Sequence, residues 1–227
     1  MYLMSHKPEM PATMPFGEAA PIVLVVDDDE QIRTGLGGLL RSAGYRVALY
    51  ADAMELLENP LPDGVRCLVA DIRLPIVSGL DLQRELAKRD ERIPILFITG
   101  HGDIPMSVRA MKAGAVDFHP KPFRDQDILE SVSNALAQDR RLKEQDEELR
   151  SLRRRFKSLT QRESEVLKFV TSGLLNKQVA SELGLSEITV KLHRGRAMRK
   201  MQARTLAEVV RMMEAIERGT RQQQTPS

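Results

Sequence analysis

Four short apolar runs in the first half of this chain each end in a side chain able to do chemistry. Asp27, Asp28 and Asp29 follow Ile22–Val26; Asp71 follows residues 67–70; Thr99 and Lys121, the latter before Pro122, close two later runs. Carboxylates crowded into one crevice repel unless a cation neutralises them. The group therefore calls for a hard divalent ion with oxygen ligands, Mg²⁺ by expectation. Mg²⁺ keeps waters and takes phosphate oxygens alongside one or two carboxylates, which suits phosphoryl chemistry. The apolar run stops at Val26, so Asp27 and Asp28 stand at its lip, while Asp29 sits where a helix N-cap is wanted. Which of the three serve the ion stays open on residue types alone, and a set of caps and turn residues is the alternative reading.

A second group lies in the last third of the chain. Lys191, His193, Arg194, Arg196, Arg199 and Lys200 crowd one segment whose Val190, Ala197, Met198 and Met201 can face inward at helical spacing. A basic outward helix after a tight turn is the kind of element that enters the major groove of DNA. On its own, such a charge-rich helix is more often only a solvated face.

For these groups to converge, the elements must alternate. After Ile22–Val26, patterns predict a helix at 30–43, a strand at 46–50, a helix near 53–58, and a strand at 66–70. A helix at 79–89, a strand at 93–98, a helix at 104–113, a strand at 115–118 and a helix from about 125 follow. The expectation is an α/β domain, a doubly wound five-stranded parallel sheet of flavodoxin-like type, with the functional crevice beyond the carboxyl ends of the strands. Residues 161–171, 176–183, 187–201 and 205–217 predict a separate all-α, four-helix DNA-binding domain with Thr160 and Ser186 as caps. The expected organisation is an extension without fixed structure at 1–20 and an α/β domain at 21–125. A helical linker at 126–156, the helical domain at 157–218 and an unstructured tail at 219–227 complete it.

Charge follows this division. The chain of 227 residues is nearly neutral at +2, but residues 21–125 carry 13 Lys/Arg against 16 Asp/Glu, and residues 157–227 carry 13 against 7. An acidic front suits a metal or phosphate site and a basic back suits nucleic acid. The single cysteine, Cys67, lies in an apolar run and is expected to pack as a small core residue. No apolar run approaches the roughly 18 residues of a membrane span and no signal-peptide pattern opens the chain, so a cytoplasmic protein is expected.

The first half resembles the receiver domain of two-component response regulators, closely the FixJ/NarL type. The resemblance rests on Val26-Asp27-Asp28-Asp29-Glu30, Asp71-Ile72-Arg73-Leu74-Pro75 with Ser78-Gly79, residues 97–103, and residues 110–118 running to Lys121-Pro122-Phe123. It implies that Asp71 accepts a phosphoryl group from a sensor histidine kinase. Asp28, Asp71 and the backbone carbonyl of Arg73 would ligate Mg²⁺, with Asp27 acting through a metal-bound water. Lys121 would pair with a phosphoryl oxygen, Thr99 would bond another, and Phe118 would follow Thr99 inward as the switch aromatic. A cis Lys121-Pro122 bond is also implied. Ile76 departs from the pattern, standing where relatives carry Gly. So do His119 and Pro120; a lone His beside a loop reads as a polar surface residue.

The second half resembles the LuxR-type helix-turn-helix output domain through residues 159–167, Gly173, residues 176–180, residues 185–194 and residues 205–210. By that resemblance Lys191, Leu192, Gly195 and Arg196 face bases, with Leu192 able to meet a thymine methyl. Lys177, Thr189, His193, Arg194 and Arg199 contact phosphates. The implied protein is a phosphorylation-dependent transcriptional regulator, not an enzyme beyond its own phosphotransfer and dephosphorylation. Its implied partners are the kinase, double-stranded promoter DNA, a second copy once phosphorylated, and RNA polymerase. A vestigial receiver is the runner-up, opposed by the complete set Asp27, Asp28, Asp71, Thr99 and Lys121. A phosphatase would need an acid two residues after Asp71, where Arg73 stands. A sensor of a small diffusible signal would not carry the strand-end carboxylates.

Overall fold

The computed structural model describes residues 20–100 and 104–224. The expected extension at 1–20 lies almost wholly outside the described residues, as do His101, Gly102 and Asp103. The described residues form two compact units, divided after Leu142.

In the first unit the elements run β1 (Ile22–Val26), α1 (Glu30–Ser42), β2 (Arg46–Tyr50), α2 (Ala53–Glu58), β3 (Arg66–Asp71), α3 (Gly79–Lys88), β4 (Ile95–Thr99), α4 (Ile104–Lys112), β5 (Asp117–Pro120) and α5 (Asp125–Lys157). The strands are parallel in the order β2-β1-β3-β4-β5. The period of two explains why β1 is apolar throughout. Leu24 and Val26 enter one core with Leu56, Leu82 and Phe97, while Val23 and Val25 enter another with Leu40, Ile98, Ile128 and Val132. Each such fully buried side chain contributes roughly 1.5–3 kcal/mol. Cys67 is buried as expected, and burial raises its thiol pKa well above the ordinary value.

Two strands differ from expectation. β4 starts at Ile95, not 93, because Pro94 has no N–H to give the ladder and Ile93 N closes a turn onto Glu91 O (3.1 Å). β5 starts at Asp117, not 115, because Ala115 N is taken by Ala110 O (3.1 Å) at the end of α4, where Gly114 has a φ of +92°. It ends at Pro120, tolerated on an edge strand.

α5 runs unbroken from Asp125 to Lys157, through the boundary between the units. Its second half folds with the C-terminal unit: Leu152 is buried and Phe156 packs on the helical core. That core joins α6 (Gln161–Thr171), α7 (Asn176–Leu183), α8 (Glu187–Met201) and α9 (Leu206–Gln224) around Val166, Leu167, Val179, Val190, Ala197 and Met201. The expected tail at 219–227 is instead helical through Gln224. Gly219 lies buried beside the Leu149 side chain of α5. Among the described residues no helix is long and apolar enough to cross a membrane.

Candidate functional site

Strand register alone brings the four strand ends together. Val26 is paired with Ala70, so Asp27 stands opposite Asp71 across the β1–β3 junction, the point where the strand order reverses. Asp71 is itself the last residue of β3, not the first beyond it, and Thr99 is the last of β4. Thr99 pairs with Pro120, and Lys121 N donates to Thr99 O (2.7 Å), which sets the lysine beside the other three ends. The Lys121-Pro122 bond is cis.

Lys121 Nζ donates to Asp27 Oδ2 and to Asp71 Oδ2, each at 2.7 Å. The second oxygen of each acid accepts a backbone amide: Asp27 Oδ1 from Asp29 N (3.0 Å), Asp71 Oδ1 from Arg73 N (2.8 Å). Arg33 Nη1 donates to the Asp27 carbonyl (2.7 Å), fixing the turn out of β1. Asp29 is the N-cap of α1, accepting from Gln31 N and Ile32 N, as its position suggested. Asp27 and Asp71 are buried; Asp28 is exposed.

The electrostatics follow from burial. Burial pushes the Asp27 carboxyl above its ordinary value, against the opposing pull of Lys121 and the Asp29 amide. Burial also pulls the Lys121 ammonium down, but hydrogen bonds and charge from Asp27 and Asp71 outweigh it and leave it raised. Asp27, Asp28 and Asp71 bring one carboxylate oxygen each within 4.8 Å of one another. Three carboxylates against one ammonium leave two uncompensated charges, which a hard divalent cation would match. The donor set therefore fits such an ion.

Around this pocket, Ser78 caps α3 and Gly79 lies against β3; a Cβ at Gly79 would stand 2.5 Å from Asp71 O. Sequence reasoning quoted Gly79 only as part of a motif; the close approach is a tertiary fact. Phe97, Thr99 and Phe118 share one sheet face, Phe118 being half-buried beside the Phe97 core and Thr99 fully buried. The exposed side chain of Ile76 has a φ of +66°. His119 is not the surface residue expected. It sits on β5 with Nε2 at 2.9 Å from Ser131 Oγ, which in turn donates to Asp117 Oδ2 (2.5 Å), joining β5 to α5.

In the second unit, Thr160 and Glu163 form the expected capping box and Ser186 caps α8. Gly184, at a φ of +64°, makes the turn between α7 and α8. Val190, Ala197 and Met201 are buried, whereas Lys191, Leu192, Gly195, Arg196 and Arg199 are exposed on the other side of α8. Lys177 is exposed near the start of α7, and Arg194 Nη1 donates to Asn176 Oδ1 beside it (3.3 Å). Thr189 and His193 are half-buried, Thr189 with its hydroxyl 2.8 Å from Ser186 Oγ. Lys200 is also exposed but is engaged within the domain. Its Nζ donates to Glu163 Oε2 (2.6 Å) and Ser158 O (3.1 Å), holding α8 to α6.

Both domains match families of known proteins. Residues 23–133 match the family described as "Response regulator receiver domain", and residues 157–213 match "Bacterial regulatory proteins, luxR family". The chain is 53% identical to Nodulation protein W of Bradyrhizobium diazoefficiens over 195 residues, 86% of each chain. It is 39% identical to the transcriptional regulatory protein FixJ of Azorhizobium caulinodans over 203 residues, 89% of this chain and 93% of that one. A solved structure of the response regulator StyR is similar with a TM-score of 0.79 and 47% identity, covering 86% of this chain and 99% of that chain. With strand-end carboxylates in one unit, a capped helix-turn-helix in the other, and relatives matched over most of their length, the chain belongs to the FixJ-type two-component response regulators, transcriptional regulators with a receiver and a LuxR-type DNA-binding domain.

Proposed function

We propose that Asp71 is the phosphoacceptor and that its phosphorylation by a sensor histidine kinase switches the protein toward dimerisation and promoter binding. The observation that carries this is Lys121 Nζ bridging Asp27 and Asp71 at 2.7 Å beside the exposed Asp28. Asp28, Asp71 and the Arg73 carbonyl would hold Mg²⁺, with Asp27 acting through water. Bound there, Mg²⁺ would neutralise charge on the phosphoryl oxygens during transfer. An Asp71 carboxylate oxygen attacks phosphorus, the O–P bond forms, and the N–P bond to the donor histidine breaks. Lys121 turns from Asp71 to a phosphoryl oxygen while Asp27 keeps its hold on the ammonium. Thr99 bonds another phosphoryl oxygen, and Phe118, on the same sheet face, follows it inward.

That local change biases the face formed by α4 and β5, with Arg109 and Lys112 near it, toward pairing with a second copy. In the output domain, Lys191, Leu192, Gly195 and Arg196 face bases. Lys177, Thr189, His193, Arg194 and Arg199 lie toward phosphates, and the bound dimer engages RNA polymerase.

The test is intact mass and sedimentation after incubation with acetyl phosphate and Mg²⁺. The native chain gains about 80 Da, consistent with one aspartyl phosphate, and sediments with more dimer. Asp71→Asn gains neither, and labelling of that variant to the native extent refutes the assignment.

A further inference from the structure

We propose that Ile188, paired with Leu192, is a specificity-determining residue of α8, and that the two read the C5-methyl groups of pyrimidines in the major groove. This rests on the proposal that α8 lies in that groove.

The register of α8 is set by its buried side. Val190, Ala197 and Met201 are fully buried in the helical core. At about 100° per residue, Ile188 lies roughly 200° from Val190, on the opposite side of the helix. Leu192, Gly195 and Arg199 follow it at spacings of four, three and four, so these residues make one row along the middle of the exposed face. Lys191 lies about 60° to one side of the row and Arg196 about 80° to the other. Lys191 and Arg196 thus flank the apolar pair Ile188 and Leu192, and Arg199 closes the row at its C-terminal end.

Two features of that centre have no explanation inside the chain. Ile188 is 80% exposed and Leu192 is 49% exposed, large aliphatic side chains given to water in a helix whose polar positions are otherwise strongly charged. One exposed aliphatic residue is ordinary; two in register between cations form a surface made to be covered. Gly195 continues the row, and a Cβ there would meet nothing within 4 Å. The fold does not require glycine at that point, although glycine weakens a helix. Its missing side chain lowers the surface where another molecule would come closest. Base edges in the major groove carry one apolar feature, the pyrimidine C5-methyl of thymine, and an aliphatic side chain between two cations matches a methyl between two phosphate strands. Ile188 precedes the basic segment and carries no charge, so neither charge nor motif spacing pointed to it.

The experiment uses the full chain treated with acetyl phosphate and Mg²⁺. Double-stranded DNA is selected from a random library, and each thymine of the enriched site is then replaced by deoxyuridine, which removes only the methyl. The native protein is expected to lose about three- to tenfold in affinity at one or two of these positions, the scale of a buried methyl or slightly more. Ile188→Ala should bind the thymine site more weakly and lose nothing further at one of those positions, whereas Ile188→Val should keep most of the native sensitivity. Because Ile188 is exposed, unchanged thermal unfolding of both variants is expected and checks that they fold. If a sequence is enriched but no deoxyuridine substitution matters, or if Ile188→Ala stays as sensitive as the native chain at every thymine, the inference is overturned while DNA reading stands. If no sequence is enriched, the reading of α8 as a DNA-binding helix falls with it.

Discussion

Gly79→Ala sets two physical effects of opposite sign against each other. Gly79 opens α3, and its N–H donates to Ile72 O at 2.9 Å. Helix propensity alone predicts that alanine stabilises the receiver by up to about 1 kcal/mol. Sterics predict the reverse. The added Cβ would lie 2.5 Å from Asp71 O, 3.0 Å from Ile72 Cα and 3.0 Å from Phe97 Cε1. Two of these neighbours are backbone and the third is a fully buried ring, so none can rotate away. Overpacking of this kind costs about 1–3 kcal/mol, and the net destabilisation expected is roughly 1–2 kcal/mol. The displaced backbone carries the Asp71 carboxylate, whose Oδ2 sits 2.7 Å from Lys121 Nζ. A shift of several tenths of an ångström there should slow labelling by acetyl phosphate about tenfold or more. Urea unfolding at 25 °C and the half-time of the mass gain measure the two effects separately. An alanine variant that is as stable as the native chain and labels at the native rate refutes the packing argument.

Ile76 has a φ of +66° and is 94% exposed, so Ile76→Asn loses no burial and relieves a β-branched residue of the left-handed region. Urea unfolding should show a gain of about 1 kcal/mol. Glu163 is buried between Thr160 N and Lys200, and its hydrogen bond to Lys200 holds its carboxyl below the ordinary value of 4.5. The stability it contributes is therefore full above that value and fades as pH falls through the lowered one. Glu163→Gln should cost the output domain roughly 1–3 kcal/mol at pH 7 and flatten its thermal stability below about pH 5, seen in a pH series of unfolding curves. Lys191→Ala should relax sequence preference at one operator position at a cost of roughly 1–3 kcal/mol, read by titration on selected and scrambled DNA. Arg194→Ala should weaken binding to both DNAs alike and lower the salt slope by about one unit.

Much of this protein is decided by local chemistry and is legible in the sequence. The alternation of apolar runs with periodic helices implied the parallel sheet, because an all-apolar strand such as Ile22–Val26 is stable only when covered on both faces. Caps announced themselves by type and spacing: Asp29, Thr160 with Glu163, and Ser186. The rule that function gathers at strand ends then brought Asp27, Asp71, Thr99 and Lys121 to one place. What required the tertiary structure were contacts between residues far apart in sequence. Lys200 looks like one more cation of a basic helix, yet it serves Glu163, 37 residues away. His119 looks like a loop residue, yet it bonds Ser131 on α5. Gly79 looks like a motif glycine, and only the packing of α3 on β3 shows that Asp71 O leaves no room for a side chain. Periodicity also placed the starts of β4 and β5 two residues too early, because those starts are set by which partner takes each backbone N–H. Pattern reports what a side chain prefers; only the fold decides which neighbour satisfies it.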